Sequence, residues 1–289
     1  MKQAKNGSRR YRIISQSLLY MLPALSLLFL WLAPAAAAKV GTEDGPAENI
    51  TALLMLAASV IMLIRGLNYY KINRQIGAVA ILIAAAFFVF AGEEISWGQR
   101  LLSIETSDFM QQYNWQGETN LHNLHTDISN VAFHYGALIF LIIAPLFYNR
   151  LIWLTKKLPQ LSFIERFIAP SWTAAPSFVL LGMLDSRFIF IIEDPRAAAM
   201  YLLALAVGLV ILTDRLIRSI RSNKNIQAGL LGLSLLLIAF GIYISYVYAV
   251  DEQATNIISE FKELFIAFGL FLFALQWRGG KEKQHNESI

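Results

Sequence analysis

The sequence predicts an all-α, polytopic transmembrane helix bundle of about eight spans, and three observations carry that prediction. Hydrophobic residues make up 56% of the chain and charged residues only 15%, too few to cover the surface of a soluble protein of 289 residues. Apolar runs of the roughly 17–25 residues needed to cross a ~30 Å hydrocarbon core recur along the chain. Lys and Arg gather in alternate connections between those runs, which is the asymmetry that orients membrane proteins.

In order, the spans are placed near 17–38, 51–67, 76–96, 128–147, 173–192, 197–213, 228–250 and 257–277. The first follows a basic start and closes on Ala35–Ala38, which could form a secretory cleavage site. Its apolar stretch is longer than an ordinary signal core, so it is read as a retained helix; cleavage would leave seven spans and an external N-terminus. Asn49-Ile50-Thr51 is formally a glycosylation triplet, but it lies hard against the start of the second span. The fifth span carries Asp185, Ser186 and Arg187 in its outer half. The connection 149–172 alternates apolar residues with Lys156, Lys157 and Arg166, the pattern of a segment lying along an interface. No internal repeat or soluble insertion interrupts the spans, so residues 1–289 are taken as a single integral membrane domain.

Orientation follows from the loops. Nineteen of the 24 Lys and Arg residues fall in segments that alternate with the spans: the N-terminus, residues 65–74, 150–166 and 215–224, and the C-terminus. Sixteen of the 20 Asp and Glu residues lie on the other side. One topology satisfies every loop, with both termini cytoplasmic. A multi-pass protein of a cell membrane, in bacteria the inner membrane, fits this distribution. The formal charge of +4 is therefore cytoplasmic anchoring, with no nucleic-acid signature. The absence of cysteine excludes disulfides and thiolate metal sites.

Unusual polar residues gather on the extracytoplasmic side. The third span ends in Gly92-Glu93-Glu94-Ile95-Ser96-Trp97-Gly98-Gln99-Arg100. Two adjacent carboxylates at a helix C-terminus meet an unfavourable dipole and call for a cation, a proton or a metal. On a continuing helix Glu93, Trp97 and Arg100 would share one face. The stretch Gln111–Asn120, rich in amides and aromatics, suits a loop folded back over the outer mouth. The fourth span then opens with His122, Asn123, His125 and Asp127. His122 and His125 are helical neighbours able to address one metal, while Asn123, Asp127, Asn130 and His134 form a second stripe. Asp185 and Arg187 point to different sides of their helix and need partners elsewhere, for which Glu93 and Glu94 are candidates.

The block from Gly92 to Arg100, followed by Gln116-Gly117-Glu118, Asn120-Leu121-His122-Asn123-Leu124, resembles a pattern found in bacterial multi-pass membrane proteins without an established activity. A more distant likeness is to alkaline-ceramidase-like membrane hydrolases, which imply zinc held by histidines and an aspartate. The second histidine pair of that family is missing here, and the last span offers Glu260 and Glu263 instead.

These residues suggest a membrane-embedded hydrolase or transferase acting at the outer face on a lipid or lipid-linked substrate. Glu93, Glu94 and Asp127 are the candidate catalytic groups. Trp97, Gln99, Arg100, Glu118, Asn123, Asp185 and Arg187 are candidates for binding substrate. His122, His125 and His134 are candidate ligands of a divalent metal such as zinc. Two other classes use the same residues: a proton-coupled transporter of small molecules, and a non-catalytic membrane partner subunit. Reporter fusions after Arg74, Lys157, Lys224 and Lys283 are expected to be cytoplasmic, and fusions near Asn114 and Asp251 external. A cytoplasmic reporter at Asn114 overturns both the orientation and the outer site.

Overall fold

The computed structural model describes residues 20–42, 45–99, 102–114, 119–120, 133, 136–140, 144, 148–168, 195–248 and 252–277. Helix is the only regular structure among them. The long elements are α1 (Met21–Leu32), α2 (Pro34–Val40), α3 (Pro46–Tyr70), α4 (Arg74–Glu94), α5 (Asp108–Tyr113), α6 (Tyr148–Lys157), α7 (Pro195–Arg221), α8 (Asn225–Tyr248) and α9 (Glu252–Gln276). Among the described residues three helices are long and apolar enough to cross a membrane: α3, α4 and residues Ala228–Tyr248 of α8. This is fewer than the eight spans predicted. The predicted spans 128–147 and 173–192 lie wholly or mostly outside the described residues.

The chain divides into two compact units, Met1–Glu48 with Ser171–Gly269, and Asn49–Pro170 with Leu270–Ile289. In the first unit the predicted span 17–38 is not one helix. It breaks at Ala33, whose backbone leaves the helical region at φ −137° and ψ 56°, and α2 restarts at Pro34. Proline has no N–H, so the carbonyl of Leu30 loses the donor it would find four residues on. The hydroxyl of Tyr248, near the end of α8, donates to that carbonyl at 2.8 Å. The opposite end of α1 is tied to the same helix, where the buried hydroxyls of Tyr20 and Ser234 lie 3.1 Å apart. Trp31 and Phe240 meet edge to face at 5.8 Å. The connection from α7 to α8 is short, and Asn223 turns it in the left-handed conformation at φ 54°.

In the second unit α3 and α4 form a hairpin. Pro46 opens α3 at a position where no N–H is missed, and the Asn73 side chain caps α4 by accepting the N–H of Ile76 at 3.1 Å. The two helices come together at Gly77, where an added Cβ would stand 2.3 Å from the backbone of Tyr70. Further along, the buried Ser59 hydroxyl donates to the carbonyl of Ala84 at 2.7 Å. The burial pattern of α3 inverts that of a soluble helix. Thr51, Ala52, Ala58 and Ser59 face inward with Met55 and Met62, while Leu53, Leu56, Val60, Leu63, Ile64 and Leu67 are exposed. Small and polar residues inside with large aliphatics outside is the arrangement that lipid, and not water, permits.

The end of the last helix, from Leu270, belongs to this unit. The Arg65 guanidinium donates to the carbonyls of Ala274 (2.7 Å), Leu275 (3.2 Å) and Trp277, groups that the helix itself leaves unpaired. Trp277 is buried, stacked on Phe167 at 5.3 Å and edge-on to Tyr69 at 5.4 Å, and its indole N–H donates to the Arg166 carbonyl at 2.8 Å.

The Tyr248–Leu30 bond yields a double-mutant test. Tyr248→Phe is expected to lower stability by about 1–2 kcal/mol, the cost of a buried carbonyl left unpaired. In a Pro34→Ala background, where residue 34 regains its N–H, the same change should cost much less. Thermal unfolding of the four purified proteins in one detergent measures this; equal losses in both backgrounds contradict the assignment.

Candidate functional site

The site begins where α4 stops. The predicted third span runs to residue 96, but the helix ends at Glu94, and Ile95 leaves it at φ −101° and ψ 20°. Ser96 (φ 45°), Trp97 (φ 55°) and Gly98 (φ 75°) then follow one another in the left-handed region. Glycine accepts that conformation freely, whereas each L-residue costs about 1–2 kcal/mol there. Strain of this kind persists only where the surroundings enforce it.

Enforcement comes from a buried polar network. The Asn120 amide donates to the Ser96 hydroxyl at 3.0 Å. The Asn114 amide donates to the carbonyl of Asn120 at 2.8 Å and to its side-chain oxygen at 2.9 Å. All three side chains are at most 5% exposed, so none has water as an alternative partner. Gln99 forms a second clamp: its oxygen accepts the Thr119 N–H at 2.6 Å and its nitrogen donates to the Thr106 hydroxyl. The Gln111 amide closes the loop on the carbonyl of Thr106 at 3.0 Å. Residues 102–114 and 119–120 are thereby folded back onto the end of α4, as the amide-rich composition suggests.

The turn carries the Trp97 ring back over α4. An added Cβ at Gly92 would lie 2.8 Å from ring atoms, so only glycine leaves room for the indole. There the indole N–H donates to a Glu93 carboxylate oxygen at 2.7 Å, and Phe88 meets the ring edge-on at 5.9 Å. The sequence pairs Glu93 with Trp97 through a continuing helix. The pair forms, but through a left-handed turn that returns the ring to the helix. Glu93 and Glu94 are both half-buried, and Trp97 is exposed.

Of the sequence-predicted site residues, the structure brings together Glu93, Trp97 and Gln99 within one turn, with Glu94 beside them. Arg100, Glu118, His122, Asn123, His125, Asp127, His134, Asp185 and Arg187 lie outside the described residues. Among the described residues no three His, Asp or Glu side chains gather as a metal site. Sequence reasoning assigned no role to Ser96, Asn114 or Asn120, which hold the turn. The only signal for them is the density of amides between 111 and 120. No protein-family model matches the chain, and neither does a curated protein or a solved structure.

Replacing Asn120 by Leu removes the buried bonds that join it to Ser96 and Asn114 and is expected to cost about 2–4 kcal/mol. Ser96→Ala should cost less, and the two changes together less than their sum, because they share one interaction. Chemical or thermal unfolding of the single and double variants checks this. Strict additivity would show that the bond does not hold the turn.

Proposed function

We propose that the chain is a membrane-embedded enzyme with eight spans and both termini cytoplasmic, acting at the extracytoplasmic face on a lipid or lipid-linked substrate. One observation carries the reading: a strained left-handed turn, clamped by buried amides, holds the Glu93 carboxylate on the Trp97 indole at the end of an apolar helix. Backbone strain sustained by a dedicated network is characteristic of sites that must be preformed. The network sits at the end of α4 instead of halfway along it, which suits a headgroup at the membrane boundary better than a transport pathway through the midplane.

In this reading Glu93 is oriented by the indole, and Glu94 acts as general base toward water or a substrate hydroxyl. Asn120, held on Ser96, precedes His122 by two residues, and two peptide units span about 7 Å at most. In this reading the histidine segment begins beside the carboxylates, and Asp127 belongs to the same site. The carboxylates of the described turn suit a hard cation but do not make a site alone. His122 and His125, with His134 deeper, would supply the ligands for a divalent ion such as zinc, whose chemistry is to lower the pKa of bound water toward ~7. Arg100 and Arg187 would hold a phosphate or carboxylate headgroup, and Gln99, Glu118, Asn123 and Asp185 would border it.

The test is incubation of the purified protein with a total membrane lipid extract, followed by mass spectrometry of the products. The wild type is expected to convert one lipid class. Glu94→Gln and His122→Asn should lose about 10²–10⁴-fold in rate, the usual contribution of a general acid or base, while remaining folded. Chelation should match the histidine variant. Full activity in Glu94→Gln removes the catalytic assignment. Coupled ion flux in vesicles without lipid turnover establishes the transporter class instead, and a stoichiometric co-purifying protein without turnover establishes the partner-subunit class.

A further inference from the structure

The segment 148–168 folds as a second hairpin, in which α6 turns at Leu158 into a tight helical stretch, Pro159–Arg166. The buried Thr155 hydroxyl donates to Glu165 across the hairpin, so the only acid of the segment is engaged inside it. Against that acid the segment carries four cations, Arg150, Lys156, Lys157 and Arg166. The hairpin is anchored, because Phe167 and the Arg166 carbonyl both engage the buried Trp277 ring.

Its other face has no described cover. Trp153 is 55% exposed, Leu154 37% and Leu158 38%. Lys157 lies 3.9 Å over the Trp153 ring, so the ammonium caps the apolar patch, and Lys156 is exposed beside it. An exposed indole under a lysine, on a short cationic helix, is the composition of an element seated at a lipid headgroup layer. The height of the hairpin agrees. Trp277, which holds Phe167, also touches Tyr69, two residues beyond Leu67, where the exposed aliphatic stripe of α3 ends. The hairpin thus lies level with the end of an apolar helix, where the hydrocarbon gives way to headgroups.

We propose that this hairpin is a binding surface for anionic phospholipid headgroups of the leaflet at that end of α3, with Trp153 and Leu154 inserted among the acyl chains and Lys156 and Lys157 on the phosphates. The proposal rests on the transmembrane reading above but not on any enzymatic activity. Each lysine near an anionic leaflet contributes about a fivefold preference, so the pair contributes about twenty- to thirtyfold.

The experiment uses the full chain in nanodiscs of phosphatidylcholine doped with phosphatidylglycerol, with native mass spectrometry of the lipid retained after transfer to detergent. The wild type is expected to retain phosphatidylglycerol over phosphatidylcholine, and the Lys156→Gln/Lys157→Gln double variant to lose most of that preference at unchanged thermal stability. Lys39→Gln, which removes an exposed cation elsewhere, should change nothing. Absence of preference in the wild type, or an equal preference in the double variant, overturns the proposal. The reporter fusion after Lys157 separates that outcome from a wrong orientation.

Discussion

In a chain this apolar, a buried polar atom has to find its partner within the protein, and that constraint shapes each junction described here. Arg65 is the fullest case. A helix leaves its last carbonyls without donors, and one guanidinium serves three of them at the end of α9. Tyr248 meets the same need at the break before Pro34, and Ser59 links α3 to α4 by the same kind of bond. Between α3 and α4 the bond ties faces rich in small residues, Ala58, Ser59, Gly77, Ala80 and Ala84, which offer close approach but little directional preference.

The same constraint makes the turn after α4 possible. Two non-glycine residues in the left-handed region cost roughly 2–4 kcal/mol together. Without the buried chain from Ser96 through Asn120 to Asn114, that energy would relax the turn and release Trp97 from Glu93. Ser96, Asn114 and Asn120 hold the loop, while Glu93 and Glu94 are half-buried and Trp97 is exposed beside it.

Helical class, and helix as the content of the apolar runs among the described residues, were legible from hydropathy alone. Helix ends were less so, because hydropathy reports where a segment can be buried and not where its hydrogen bonding stops. Helix α3 extends to 46–70 from an apolar core of 51–67, and α7 to 195–221 from 197–213, as polar ends continue the helix beyond the hydrocarbon-length run. The break at Ala33 was hidden for the opposite reason: residues on both sides of Pro34 are apolar, so composition is continuous where the backbone is not. At the site, Glu93, Trp97 and Gln99 stood out by their chemistry. The pairing of Ser96 with Asn120, 24 residues apart, leaves no periodic trace, since it depends on a loop path and not on a helix or strand repeat.

The central claim is that the carboxylates at the end of α4 and the histidine segment share one site. The chain has no cysteine, so an introduced pair forms the one disulfide available. A disulfide requires Cα atoms within about 7 Å. Glu93→Cys or Glu94→Cys, each combined with His122→Cys or Asp127→Cys, gives four double variants to oxidise in native membranes, with Ser96→Cys/Asn120→Cys as the reference pair. A shared site predicts that at least one of the four closes as readily as the reference. Closure of the reference pair alone would contradict it.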